Sequence, residues 1–259
     1  MTSGVCLKLE LIALPNIPEV VPDDDVGQLI CEALISAEIT PQLHDIITIA
    51  QKIVSKAENR YVYLDDVVPS EQALILAQEV DKDPRLVELI VREMDEVSRK
   101  RVGVLVVRHR LGFVSANAGI DRSNVQQDER GERVLLLPVN PDGSAEKIRQ
   151  KIRQNFGVDI GIIIADTHGR PHRSGNVGVA IGVAGIPAVL DKRGTTDRYG
   201  FVLKSTISGV ADEIAAAADL LLGQAAESTP VVLIRGLKLP AIEGKASDIY
   251  RPKEFDLYR

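Results

Sequence analysis

The residues best suited to chemistry follow a short apolar run in the second half of the chain. Asp166 and Thr167 come directly after residues 161–165, which the pattern predicts to be a strand. Ligands of α/β proteins bind at the carboxyl ends of strands. A carboxylate and a hydroxyl placed there suit magnesium or manganese beside a phosphate. Gly169 permits close approach of the backbone, and Arg170 offers donors to phosphate or carboxylate oxygens. These residues predict a metal- and phosphate-binding site; the alternative is a strand-to-turn segment with solvated charges.

A second group of small and polar residues lies between positions 115 and 124 and contains Gly119, Asp121 and Asn124. It also follows a predicted strand, and small residues around one carboxylate suit a backbone packed against a ligand. Asp121 and Asp166 could converge on one cation although they are 45 residues apart. Taken alone, the segment is better explained as a turn, because Asx residues form local hydrogen bonds there.

Two lysines follow the apolar run at residues 45–50. The ammonium of Lys52 or of Lys56 could meet a nucleotide phosphate as a point charge. Considered by themselves, they are better interpreted as ordinary surface lysines.

The signatures of other chemistries are missing from the sequence. It contains no P-loop, no dinucleotide-binding glycine fingerprint and no nucleophile elbow. His168 and His172 have the spacing of a helical zinc site, but Gly169 and Pro171 disfavour a helix there. The sequence therefore does not support catalysis by an activated serine or cysteine.

The composition excludes several classes of protein. The 259 residues carry a net charge of -6 with no long basic cluster, and they include no Trp, four Phe and five Tyr. These features argue against a nucleic-acid partner. The two cysteines, Cys6 and Cys31, cannot build a disulfide framework. No apolar run approaches the ~20 residues of a membrane helix, and Lys8 and Glu10 interrupt any signal-peptide core. We expect a soluble, cytoplasmic protein without a membrane partner.

The candidate residues must be positioned by alternating apolar and amphipathic segments. Apolar runs predict strands at residues 7–14, 45–50, 102–107, 133–137, 158–165 and 231–234. Helical patterns predict a helix after the acidic residues 23–25, and further helices at 70–80, 84–99, 145–155 and 211–222. The expected fold class is α+β, a mixed sheet with flanking helices in one unit over residues 1–259. Two interleaved lobes are one arrangement that this fold could take.

Several motifs together resemble one known family. They are LPNI at 14–17, VSKAE at 54–58, ANAGIDRSN at 116–124, LPVNPD at 137–142, ADTHGRP at 165–171, GVAIGVAGI at 178–186, ADE at 211–213, LGQ at 222–224 and PVVLIRG at 230–236. In this order they resemble the coenzyme F420:L-glutamate ligase family over nearly the whole chain. One departure is Asn59, where the family usually has glycine; asparagine tolerates left-handed backbone, so the change is minor.

The resemblance implies a GTP-dependent ligase. Such an enzyme joins L-glutamate to the phospholactyl carboxylate of F420-0 through an acyl phosphate, and could add further γ-linked glutamates. Two rival classes stay open. One is a metal-dependent phosphohydrolase, and the other is a non-catalytic protein that binds a nucleotide or a deazaflavin.

The resemblance also implies roles for individual residues. Asp121 and Asp166 look like ligands of one divalent cation, and Thr167 and Gln224 look like ligands of a second. The predicted catalytic residues are Asp121, Asp166 and Arg170. The implied GTP contacts are Leu14, Pro15, Asn16, Ile17, Gln51, Lys52, Lys56, Asn124, Leu222, Gly223, Gln224, Ala225, Ala226, Glu227, Ser228 and Thr229.

The remaining expectations concern cofactors and assembly. The resemblance implies magnesium or manganese, two ions per site, with potassium as a further candidate, and an intertwined homodimer. We expect the apolar residues 178–186 to form a loop that supplies the dimer surface. Because the sequence ends soon after the last of these motifs, we expect it to lack the flavin-reductase-like domain that some relatives carry after the ligase.

Overall fold

The computed structural model describes residues 7–256, so Cys6 lies outside the described residues. The helices are α1 (Val26–Ser36), α2 (Gln51–Ala57), α3 (Glu71–Val80), α4 (Pro84–Glu93), α5 (Pro141–Phe156) and α6 (Val210–Leu222). The strands are β1 (Glu10–Ala13), β2 (Ile46–Ala50), β3 (Tyr61–Tyr63), β4 (Met94–Arg101), β5 (Val104–His109), β6 (Val114–Ala116), β7 (Arg133–Leu135), β8 (Gly161–Gly169), β9 (Asn176–Ala184), β10 (Leu190–Asp191), β11 (Ile207–Ser208) and β12 (Val231–Arg235). Four short 3-10 helices complete the regular structure of this part of the chain.

A mixed sheet of five strands forms the centre of the larger lobe, in the order β1-β12-β2-β8-β9. Only β2 and β8 within it are parallel, and their register pairs Ala50 with Ala165. The residues that follow Ala50 therefore lie beside those that follow Ala165. This pairing brings the start of α2 next to Asp166.

Helices cover both faces of this sheet. Ile47, Ile49, Ile162 and Ile164 pack with α1 and α5, and the alternate residues of the same strands pack with α6. Since the central strands are buried on both faces, they appear in the sequence as continuous apolar runs. The prediction of an α+β fold with a mixed sheet and flanking helices is confirmed.

A smaller lobe is formed by residues 61–136. The helices α3 and α4 pack there against the sheet β4-β5-β6 and the pair β3-β7, around a separate apolar core. Within the described residues, those before 61 and after 136 thus build the larger lobe, and the stretch between them builds the smaller one.

Local signals place most of the predicted helix ends. The Asp25 carboxylate caps α1 by accepting a hydrogen bond of 3.0 Å from the backbone N–H of Gln28. Gly157 ends α5 in the left-handed region, with φ 69°. Asn59, the departure from the family pattern, also has a positive φ of 52°. The local backbone requirements are therefore visible in the residue types.

The helix predicted over residues 84–99 is wrong in its second half. Helix α4 ends at Glu93, and Met94–Arg101 is strand β4, paired antiparallel with β5. Register shifts in this pairing fall between Met94 and Glu96 and between Val97 and Arg99. These bulges space Met94 and Val97 three residues apart, which is a helical interval, so the pattern resembled a helix.

Residues 178–186 do not form a loop, and the dimer surface predicted there is wrong. Most of the segment belongs to β9, which is buried between α5 and α6 within the chain. A Cβ on Gly178 would lie 2.5 Å from the Ala215 carbonyl oxygen, and one on Gly182 would lie 2.7 Å from Pro141. The glycines therefore allow close helix-on-strand packing.

Among residues 7–256, no helix is both long enough and apolar enough to cross a lipid bilayer.

Candidate functional site

A cavity of about 660 Å³ opens where the parallel pair β2 and β8 meets the segment after α6. This volume lies in the range of small-molecule sites. Five segments distant in sequence contribute to its wall. The predicted residues that line it are Ile17, Gln51, Lys52, Lys56, Asn124, Asp166, Thr167, Leu222, Gly223, Gln224, Ala225, Ala226, Glu227, Ser228 and Thr229.

Asp121 lies behind this wall and has both carboxylate oxygens occupied. Gln51 Nε2 donates to Oδ2 at 2.6 Å, and Lys52 Nζ lies 3.0 Å from Oδ1. Ser55 in turn donates to the Gln51 amide oxygen at 2.8 Å, which sets the orientation of that amide. The backbone of Asp121 exchanges two hydrogen bonds of 2.9 Å with Leu135. These contacts fix the position of the Asp121 side chain, and the Lys52 ammonium balances its negative charge.

Asp166 was predicted to follow the end of a strand, but it lies within β8. The parallel pairing with β2 stops at Ala165, but the antiparallel partner β9 continues to pair as far as Gly169. The Asp166 side chain is only 10% exposed, so its carboxylate is largely shielded from solvent. His168 Nε2 donates to Asp166 Oδ2 at 3.0 Å, and its ring packs 5.1 Å from the ring of Phe113. One carboxylate oxygen is therefore held by a buried imidazole.

A third carboxylate, Asp219, lines the cavity and was missed by the sequence analysis. It lies in the last turn of α6, where it accepts a hydrogen bond of 2.7 Å from Gln224 Nε2 and another from the backbone N–H of Gly178. A negative charge in the last turn of a helix is unfavourable with the helix dipole. An aspartate predicted in the last turn of a helix was the signal that could have identified Asp219, because its charge needs a stabilising partner.

The three carboxylates influence one another. Burial is the main reason why the pKa of Asp121 and that of Asp219 are raised, and the negative charge of Asp166 raises both further. Lys52 opposes the effect at Asp121. The site therefore concentrates negative charge that an added cation would relieve.

The donor chemistry at this position fits a hard divalent cation. Asp166, Thr167 and Gln224 bring carboxylate, hydroxyl and amide oxygens to the cavity wall, and Asp121 lies behind them. Such oxygens are the ligands that magnesium and manganese prefer. Within the part of the chain that the structure describes, no three His, Cys, Asp or Glu side chains are already arranged around one metal position.

One hydrogen bond joins two walls of the cavity that are far apart in the sequence. Asn124 Nδ2 donates to the carbonyl oxygen of Ala225 at 2.8 Å. Asn124 adopts a left-handed backbone with φ 55°, and Gly223 begins the opposite loop with φ 73°. Glu227 stabilises that loop by accepting a hydrogen bond of 2.7 Å from the Ala225 N–H.

The two predicted lysines have different partners. Lys52 pairs with Asp121, whereas Lys56 Nζ lies 2.5 Å from Glu19 Oε1. Lys56 is 6% exposed, so its interpretation as a surface lysine is wrong.

Five predicted residues do not line the cavity. Asp121 is behind the wall, and Leu14 is fully buried in the apolar core. Pro15 and Asn16 are exposed on the loop after β1. Arg170 Nη1 is buried without a hydrogen-bond partner among the described residues, and Arg170 is absent from the cavity wall. No contact with the cavity supports the predicted role of Arg170.

Comparison with known proteins identifies similar sequences. The F420-0:Gamma-glutamyl ligase family model matches residues 15–236. The coenzyme F420:L-glutamate ligase of Methanopyrus kandleri is 44% identical over 257 residues, which cover 98% of this chain and 98% of that protein. The protein of the same name from Methanothermobacter thermautotrophicus is 44% identical over 97% of this chain and 99% of its own length. That from Archaeoglobus fulgidus is 38% identical over 98% and 97%.

Proposed function

The chain belongs to the F420-0:gamma-glutamyl ligase family, and from this membership we propose its reaction. It joins L-glutamate to the phospholactyl carboxylate of F420-0 at the expense of GTP, and it could add further γ-linked glutamates. The substrates are small molecules, and the cytoplasm is the expected compartment.

The observation that carries this proposal is the composition of the cavity wall. The cavity combines about 660 Å³ of space with two lysines and with Asp166 and Asp219. Cationic side chains suit phosphate oxygens, and carboxylates suit a metal ion bound beside them. This combination supports a nucleoside triphosphate as one of the substrates.

The proposed reaction solves a chemical problem. A carboxylate is a poor electrophile, since hydroxide would have to leave. Attack of a carboxylate oxygen of F420-0 on the γ-phosphorus breaks the bond to the bridging oxygen, releases GDP and forms an acyl phosphate. The amine of glutamate then attacks the acyl carbon, and phosphate leaves as the amide forms.

The residues of this chain contribute positioning and charge to that reaction. Phosphoryl transfer depends mainly on alignment and on neutralisation of the phosphate oxygens. Lys52 and Lys56 supply positive charge at the wall, and the loop that begins at Gly223 encloses the cavity from the opposite side. The hydrogen bond between Asn124 and Ala225 ties that loop to the separate segment of the wall that carries Asn124.

Asp121, Asp166, Thr167 and Gln224 are the residues that would hold divalent cations. A bound magnesium or manganese ion would neutralise phosphate charge during the transfer. Two ions per site, and potassium as an additional ion, are part of the proposal. His168 orients Asp166 in this arrangement by occupying its Oδ2 atom.

We also propose a homodimer, on the basis of the family resemblance alone. Residues 178–186 are buried within the chain and do not supply its interface. Light scattering at micromolar concentration tests this part of the proposal, and a stable, active monomer would contradict it.

Mass spectrometry of F420-0 tests the reaction most directly. F420-0 is incubated with the protein, GTP, magnesium and glutamate, and GDP release is measured in parallel. We expect a mass increase of one or more glutamyl residues, and GDP release that requires both F420-0 and glutamate. The Asp166→Asn variant is the matched control for contaminating activity.

Other outcomes would select the rival functions. GDP release without glutamate would indicate a phosphohydrolase, and nucleotide binding without turnover would indicate a binding protein. Equal activity with ATP and GTP at matched concentrations would contradict the choice of GTP.

A further inference from the structure

The ion pair between Lys56 and Glu19 is asymmetric. The Lys56 side chain is 8% exposed in the cavity wall, whereas the Glu19 side chain is 63% exposed. Lys56 is part of helix α2, and Glu19 lies on the loop between β1 and α1. Both residues line the cavity. A buried cation on a helix is therefore paired with an exposed anion on a loop.

A negative partner stabilises the Lys56 ammonium, because this side chain is largely buried. A buried charge without a partner is strongly unfavourable. Among residues 7–256, Glu19 is the one hydrogen-bond partner of Lys56 Nζ. Lys56 provides the one hydrogen bond of the Glu19 carboxylate in the same part of the chain.

The cavity's other carboxylates are more firmly held. Asp166 is bonded to His168, Asp219 to Gln224 and Glu227 to a backbone N–H of its own loop. Glu19 is thus the carboxylate that can leave its partner at the smallest cost, because water can solvate it where it stands.

We infer that Glu19 is an exchangeable counter-ion, which neutralises Lys56 while the cavity holds no anion and yields it to a phosphate group when one binds. This inference rests on the proposed function, since it takes the anion to be a nucleotide phosphate. It adds a specific role for a residue on the loop after β1. Glu19 competes with the bound phosphate and thereby favours its release.

The competition has a measurable consequence. If Glu19 occupies Lys56 for nine-tenths of the time in the free protein, the apparent affinity for the phosphate is reduced about tenfold. Glu19→Gln removes the competing charge and should tighten binding by about that factor. The same substitution should lower the melting temperature of the free protein, because Lys56 loses its counter-charge.

The experiment measures binding of inorganic tripolyphosphate and of GDP by titration calorimetry, and melting temperatures with and without each. Glu79→Gln is the matched control. Glu79 forms an ion pair with Lys100 at 2.6 Å, but both side chains are more than 40% exposed. We expect tighter binding and a larger ligand-induced rise in melting temperature for Glu19→Gln alone. Glu19→Asp, which keeps the charge but shortens the side chain, should lie between Glu19→Gln and the native protein.

Three results would overturn the inference. Equal or weaker tripolyphosphate binding by Glu19→Gln would make the ion pair a fixed structural contact. Loss of GDP binding with unchanged tripolyphosphate binding would place Glu19 at the nucleoside instead. If the native protein binds neither ligand, the proposed function fails together with this inference; in the first two cases the proposed function survives.

Discussion

Lys52 Nζ lies 3.0 Å from Asp121 Oδ1, so the first turn of α2 neutralises a carboxylate that follows it by 69 residues. Because Gln51 holds the other oxygen of Asp121, the lysine and the amide fix this side chain from one direction. A cation that binds Asp121 must share it with Lys52.

Asp166→Asn should reduce turnover while leaving the fold intact. The amide keeps the size of the side chain and an oxygen that can accept the hydrogen bond from His168, but it removes the charge that attracts a cation. Loss of one electrostatic contact of this kind commonly costs ~10²–10³ in rate. Steady-state kinetics over a magnesium titration, with circular dichroism as the folding control, measure this effect. Near-normal turnover with unchanged metal dependence would rule out the metal site.

Asp121→Asn should also slow turnover, and the two substitutions should not be independent. If Asp121 and Asp166 bind one ion, the double variant loses less than the product of the two single effects. Rates of the native protein, both single variants and the double variant complete the cycle. Multiplicative effects would mean that the two carboxylates act separately.

Asn124→Ala should weaken nucleotide binding more than it slows chemistry. The substitution removes the hydrogen bond to Ala225 that joins two walls of the cavity. A net contribution of about 1 kcal/mol corresponds to a roughly fivefold increase in the KM for GTP. Asn155→Ala is the matched control, because Asn155 Nδ2 donates to the Lys151 carbonyl at 2.9 Å on the exposed face of α5. A similar change in KM for both variants would contradict this role of Asn124.

Gly178→Ala should destabilise the fold. The added Cβ would lie 2.5 Å from the Ala215 carbonyl oxygen and 2.9 Å from Asp219 Cβ, so β9 and α6 would have to separate. Overpacking of this kind costs about 1–3 kcal/mol. Gly169→Ala serves as the control in thermal unfolding, since its Cβ would meet the nearest atom at an ordinary 3.7 Å. Equal melting temperatures for the two variants would show that the contact relaxes freely.

Because of Glu93, the free energy of unfolding should fall as the pH is lowered into the acidic range. Burial alone would raise its pKa, but the His109 imidazole, whose Nε2 lies 3.4 Å from Glu93 Oε2, and the charges of Arg60 and Arg110 hold the pKa below its usual value. Since the folded value lies below the unfolded one, the stabilisation is present above about pH 5 and is lost as the pH falls through the folded pKa.

Glu93→Gln should therefore lower the free energy of unfolding at pH 7 by roughly 3 kcal/mol, as breaking a buried ion pair does. It should also lose less stability than the native protein between pH 5 and pH 3. Urea unfolding at each pH measures both effects. Parallel pH profiles of stability for the two proteins would show that Glu93 does not contribute to the pH dependence.

Much of the fold was predictable because its signals are local. The runs that form β2, β8 and β12 are continuously apolar because both faces of the central sheet are covered. The start of α1 and the end of α5 follow from the chemistry of Asp25 and Gly157. Strand β4 was not predicted, because its bulges space the apolar side chains at a helical interval. Its pairing with β5, which is not visible in the local sequence pattern, makes the segment a strand.

The sequence by itself determined which segments are strands or helices in most of the chain, and which residue types could bind phosphate and metal. Only the tertiary structure decided their partners: Lys52 with Asp121, Lys56 with Glu19, and Asp219 beside the cavity. The physical reason is that periodicity and capping act over a few residues, whereas these contacts depend on strand order and register. The parallel pairing of β2 with β8 sets them, and no local pattern encodes it.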